Sequence, residues 1–201
     1  MIACALTRRR FNTHQDIEPP SCKIQPPETR TCYAPYWQFI QSCAILFIVD
    51  LSNLIIAGLV GTAGMTFFMY GMSFLTDRVM KVIRILGTML TFRTTSKGEL
   101  SDSSWATLVG TLAHYTVGLS FTLVYAEIWR AGLGVPTLRF GVVAGFVSGL
   151  VGILGWRVYF ALHPQPPKNV PMKSYLLTLL VAHVVFGVIV TLTYQALIHY
   201  Y

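Results

Sequence analysis

Four stretches of this sequence decide what solvent it can fold in. Residues 54–75, 105–129, 138–162 and 175–200 each run 22 to 26 residues with almost no charge. About 20 apolar residues, rising about 1.5 Å each, cross the roughly 30 Å hydrocarbon core of a bilayer. Hydrocarbon offers no partner to an unpaired backbone N–H or C=O, so runs of this kind form helices. The glycine-rich, β-branched stretch 142–154 would favour strand in water, and the bilayer overrides that preference.

Composition points the same way. Of 201 residues, 54% are apolar and 11% charged, against about 25% charged in an average soluble domain. One domain of this length cannot shield so much apolar surface from water. A disordered chain, a collagen-like fibre and a soluble globular enzyme are thereby set aside. The expected fold is all-α, a polytopic transmembrane four-helix bundle of two tandem helical hairpins, with an added amphipathic interfacial helix.

A fifth apolar run, 36–49, is shorter and carries Gln38, Gln41 and Ser42. It reads as an interfacial or partly inserted segment, ending at Asp50-Leu-Ser-Asn53, which resembles the N-cap of the first span. Residues 1–35 are polar, contain Pro19-Pro20 and Pro26-Pro27, and lack apolar periodicity, so they read as a disordered tail. All four cysteines (Cys4, Cys22, Cys32 and Cys43) lie in the first 43 residues with no C-x-x-C spacing. The tail reads as an extension upstream of a natural start further in.

Short-loop cations set the orientation. Arg78, Lys81, Arg84, Arg93 and Lys97 follow the first span, and Arg157, Lys168 and Lys173 flank the loop after the third. Near the membrane only Arg130 and Arg139 face them from the other side, and Arg8, Arg9, Arg10, Lys23 and Arg30 lie more than 20 residues from Leu54. Loops 76–104 and 163–174 are therefore expected in the cytoplasm. The net charge of +7 thus reflects orientation and lipid contact, with no nucleic-acid partner implied. Within the first loop, Val79, Val82, Ile83, Leu86 and Leu90 fall at i, i+3, i+4, i+7 and i+11, predicting an amphipathic helix over 78–92. Arg78, Lys81 and Arg84 beside that stripe would meet lipid headgroups; equally, the helix would cap the cytoplasmic end of the bundle.

Span two laid over span four gives the most specific pattern. Ala113, His114, Gly118, Thr122, Leu123 and Tyr125 match Ala182, His183, Gly187, Thr191, Leu192 and Tyr194 in identity and spacing. A weaker match pairs Ala57-Gly58-Leu59-Val60-Gly61 with Ala144-Gly145-Phe146-Val147-Ser148. The chain therefore reads as an internal repeat, two parallel hairpins about a pseudo-two-fold axis along the membrane normal. Positions i, i+4, i+8 and i+11 share one helical face, so His, Gly, Thr and Tyr form one stripe per helix. Gly and Thr at such spacing admit close backbone approach in lipid, as do Gly58 and Gly61 in span one and Gly145 and Gly149 in span three. A tightly crossed bundle with little internal volume is expected. Small faces turned outward would instead mark a homodimer seam.

Ionisable groups inside a membrane are functional candidates, and here they are His114 and His183. Two histidines on facing helices could ligate haem b iron. A transition-metal site would lack further ligands. Alternatively, each imidazole fixes helix register by bonding Tyr125 or Tyr194 of the other repeat, or contacts a substrate. No G-x-S-x-G, H-E-x-x-H or Walker loop is present, and no acid pair clusters, so no catalytic residue is assigned and an enzyme is not expected.

Three motifs carry a resemblance: A-G-x-x-G-T-A-x-M-T over 57–66, His114-x-x-x-Gly118-x-x-Phe121-x-x-x-Tyr125-Ala126, and His183-x-x-Phe186-Gly187. Over residues 54–197 the chain resembles bacterial four-helix membrane proteins grouped as domains of unknown function. The resemblance implies an integral inner-membrane protein and supplies no catalytic residues. The expectation is a non-enzymatic structural or assembly component, meeting the lipid bilayer and packing as a homodimer or in a larger membrane complex. Its rivals are a bis-histidine haem or metal electron carrier and a small dimeric transporter.

Overall fold

The computed structural model describes residues 36–78, 80–95 and 97–199, with backbone alone over 36–49. Two compact units divide the chain, Met1–Asp50 and Leu51–Tyr201, and the site lies wholly in the second. The expected disorder of the tail, the environment of its cysteines and the position of Val79 in the amphipathic stripe lie outside the described residues.

Among the described residues every element is helical: α1 (Tyr36–Thr76), α2 (Val82–Leu90), α3 (Ser104–Arg130), α4 (Leu138–Leu162) and α5 (Met172–His199). Four stretches are long and apolar enough to cross a membrane: Asp50–Thr76, Ser104–Arg130, Leu138–Leu162 and Met172–His199. The protein is a multi-pass, all-helical membrane protein. One boundary differs from expectation. Asp50-Leu-Ser-Asn53 does not cap the first span, because α1 runs through it unbroken. Extending an existing helix fixes one residue per bond, whereas starting another needs a costly nucleus. Asn53 is buried accordingly.

Unlike a water-soluble bundle, this one has large apolar side chains outside as well as in its core, and small residues along its helix seams. The buried positions of α3 include Ala106, Gly110, His114, Gly118, Thr122 and Ala126, one every fourth residue. Outside lie large apolar side chains such as Phe67 (82% exposed), Leu112 (61%) and Val143 (62%). Water would not tolerate such a surface, while lipid prefers it.

Small residues set how closely the helices approach. A side chain at Gly141 would meet the Gly187 carbonyl oxygen at 2.7 Å, and one at Gly145 the His183 carbonyl at 2.5 Å, so α4 and α5 touch backbone to backbone. The α1–α3 seam is wider because threonines fill it: Gly58 faces Thr122, and Gly118 faces Thr62. Gly61 receives Val190 and Phe186 of α5. These small-residue faces are therefore satisfied within one chain.

The amphipathic helix is shorter than expected, Val82–Leu90, with Arg78 and Lys81 before its start. It buries Val82, Ile85 and Met89, while Leu90 is exposed. The stripe is rotated from the expected one because Gly87 and Gly110 bring α2 against the α3 backbone, with Gly87 facing Ala106 and Gly110 facing Ile83. α2 is thus a cap packed on the bundle. It ends with Arg93 N–H donating to Thr88 O (3.0 Å) and Phe92 N–H to Met89 O (3.2 Å). Phe92 takes the left-handed position there, at φ 54°, where glycine is usual; its ring stacks on His163 at 5.0 Å. His163 Nε2 in turn donates to Met89 O (2.9 Å). Lys168 N–H donates to Gly98 O (2.8 Å) and Thr94 Oγ1 to Gln165 O (2.7 Å), so the loops after α2 and α4 meet at the same end of the bundle.

Candidate functional site

All five helices contribute to one cavity of about 360 Å³. Thr62 and Met65 come from α1, Val82 and Leu86 from α2, His114, Gly118 and Phe121 from α3, Gly152, Gly155 and Trp156 from α4, and Leu179, His183 and Phe186 from α5. The expectation of little internal volume is overturned. Glycine contributes at Gly155, an exposed lining position whose Cβ would meet no atom within 4 Å, whereas the His183 ring packs against Gly152, 3.1 Å from its Cβ position.

Both imidazoles line this cavity, and each is 6% exposed. Their partners differ from the expected tyrosines. His114 Nε2 lies 3.0 Å from Thr66 Oγ1 on α1, and His183 Nδ1 lies 2.8 Å from the Leu179 carbonyl oxygen of its own helix. Tyr125 instead donates to Ser148 Oγ on α4 (2.7 Å), and that hydroxyl donates to Ala144 O (2.8 Å). Tyr194 stacks on Trp129 at 5.0 Å. Tyrosine is held back because it sits at i+11, about 16 Å along the helix from its histidine at about 1.5 Å per residue.

The seams explain why the two rings are held differently. Gly58 faces Thr122 as Gly141 faces Thr191; Gly118 faces Thr62 as Gly187 faces Gly145. His114 bonds Thr66, and the Cβ of His183 adjoins Gly149. α4 thus matches α1 one helical turn away from the register that pairs Gly58 with Gly145. In this register Gly149 stands where Thr66 would, so His183 has no hydroxyl to bond and turns to its own backbone.

Hydrogen-bond direction fixes both tautomers. Thr66 Oγ1 gives its one proton to Thr62 O (2.7 Å), so it must accept from His114 Nε2–H. A carbonyl only accepts, so His183 carries its proton on Nδ1. Both rings are neutral, since no carboxylate lines the cavity to pair a buried charge. His114 Nδ1 and His183 Nε2 are left as bare acceptors. Among the described residues no group of three His, Cys, Asp or Glu forms a metal-binding set.

The cavity is open on one side. Val117 of α3 and Val151 of α4 line it at mid-helix and are 50% and 54% exposed. Gly155, also exposed and lining, lies one turn further along α4, toward the end where Tyr159, Val82 and Leu86 line the cavity. Phe121 stands edge-on to His183 at 5.9 Å behind this opening.

The remaining expected site residues are structural. Gly58, Gly61, Gly118, Thr122, Gly145, Gly149, Gly187 and Thr191 occupy helix seams. Arg84 pairs with Asp102 and donates to Ser101 O (3.2 Å), which ties α2 to the loop preceding α3. Arg78 bonds Ser174 Oγ, and Lys81 adjoins the α2 start with no side-chain capping bond. Thr66, Phe121, Gly152 and Gly155 line or shape the site without having been singled out for it. Thr66 stood in the 57–66 motif, one turn beyond Thr62, and only the opposed helix reveals its partner. Compared with family models, curated proteins and solved structures, the chain matches none.

Proposed function

We propose that this protein is a non-enzymatic membrane component that holds a small lipophilic molecule inside its helical bundle. The observation carrying this reading is the cavity of about 360 Å³ with its mouth at mid-helix between α3 and α4. Ligand sites are typically about 300–1,000 Å³, mostly apolar, with a few convergent polar groups, and this one has two imidazoles. Its wall holds no carboxylate, Lys or Arg, which favours an uncharged ligand over an ion. The matched seams support a duplicated hairpin as its architecture, and the motif resemblance supports placement among bacterial inner-membrane proteins. The cationic loops meeting at one end support a cytoplasmic location for that end.

The haem reading is less well supported. Ligation through both Nε2 atoms would require His114 to surrender its bond to Thr66.

A diazirine-bearing hydrocarbon probe in proteoliposomes tests the proposal. Photolabelling is expected to concentrate on peptides bearing Phe121, Val151 and Gly152, and to fall sharply in Gly155→Leu, which adds bulk at a lining position where a Cβ meets no atom within 4 Å. Labelling spread evenly over the lipid-facing helices and unaffected by Gly155→Leu would overturn it.

A further inference from the structure

We infer that the cavity selects lipophilic molecules that carry a hydroxyl group, an alcohol or phenol whose proton is donated to a bare imidazole nitrogen. The inference rests on the cavity being a ligand site, and it adds the chemistry by which the ligand is recognised. An unmarked histidine can present either a donor or an acceptor. Here the choice is made by the protein. Thr66 has given its proton to Thr62 O and must receive one from His114 Nε2; Leu179 O receives the proton of His183 Nδ1. Each ring therefore keeps one nitrogen that accepts and does not donate. The Thr62 hydroxyl on the same wall is taken by Gly58 O (2.7 Å).

The placement suits a molecule arriving from the acyl chains. His114 and His183 lie ten and eleven residues from the loop-side ends of α3 and α5, about 15 Å at about 1.5 Å per residue. The mouth residues Val117 and Val151 lie at comparable depth and are apolar and exposed. A hydroxyl in hydrocarbon has no partner and pays the full penalty for that, so an acceptor at this depth attracts it. An ether, a ketone or an ester offers only acceptors and has no proton for a bare imidazole nitrogen; the donors on the wall, Trp156 and Tyr159, lie further along α4. An alkane would fill the void and gain nothing from the rings.

Competition against the diazirine probe, with the full chain in proteoliposomes, reads this selectivity. The competitors are a long-chain primary alcohol, its methyl ether and an alkane of equal length. The alcohol is expected to compete about tenfold better than the ether, the scale of one intramembrane hydrogen bond. Replacing both rings together, His114→Leu with His183→Leu, removes both bare nitrogens and should reduce that gap to less than about twofold while leaving alkane competition unchanged. Equal competition by alcohol and ether would overturn the donor selectivity and leave the cavity reading standing. If none competes, and Gly155→Leu leaves labelling unaltered, the cavity reading itself falls. Ring 15N shifts of the unmodified protein serve independently of whether the double variant folds: His114 should be protonated on Nε2 and His183 on Nδ1. Adding the alcohol should shift a bare nitrogen, and the ether should not. Both rings protonated on Nε2 would overturn the inference.

Discussion

Hydroxyl groups in this bundle differ in whether they have a partner, and that difference has measurable consequences. Tyr125 donates to Ser148 across the α3–α4 seam at 2.7 Å, whereas the fully buried Tyr175 hydroxyl has no hydrogen-bond partner among the described residues. Phenylalanine keeps the ring in both cases and removes only the oxygen. Tyr125→Phe should destabilise the protein by about 0.6–1.7 kcal/mol, the range for intramembrane hydrogen bonds. Tyr175→Phe should leave stability unchanged or raise it, since an unpaired buried polar group is itself unfavourable by about 1–3 kcal/mol. Unfolding of both variants from mixed micelles, measured side by side, checks the contrast; equal losses would contradict it. At this scale the sequence announced that His114 and His183 matter, because ionisable residues deep in apolar runs are rare. It did not announce their partners. Thr66 lies 48 positions from His114, and Leu179 is a backbone carbonyl whose availability depends on what the opposite helix lacks.

Glycines govern the elements, and their effects depend on what each faces. At Gly187 a methyl group would press on the Gly141 carbonyl and come within 2.9 Å of Gly145 Cα, both rigid backbone. Gly71, in α1, meets nothing within 4 Å. Gly187→Ala should therefore prise α4 from α5 and destabilise by about 1–3 kcal/mol, while Gly71→Ala should stay within about 0.5 kcal/mol of the parent or gain helix propensity. Thermal unfolding in detergent distinguishes them, and a harmless Gly187→Ala would refute the backbone-contact seam. The four-residue spacing of small residues was readable from sequence because a helical face repeats at that interval. The one-turn offset between α1 and α4 was not, since Gly58 aligns with Gly145 by neighbouring residues but with Gly141 by contacts. The amphipathic helix was legible as an element, yet Gly87 and Gly110 decided which face it buries and made it a cap.

At the level of the whole molecule, large apolar side chains cover the exterior as well as filling the core, which water would not allow. Composition alone disclosed that apolar exterior, because lipid-length apolar runs admit few other solutions. The cavity was hidden: small residues at helix seams predict close packing, and only the assembled bundle reveals that nothing stands opposite Gly155. The account stands or falls on that void opening to hydrocarbon at mid-depth. A nitroxide placed at Val151, in a chain whose four cysteines are replaced by serine, reports this directly in proteoliposomes. The account predicts that dissolved oxygen relaxes the label strongly while a water-soluble nickel chelate barely does. Strong relaxation by the nickel chelate with little effect of oxygen would put water at the mouth and contradict it.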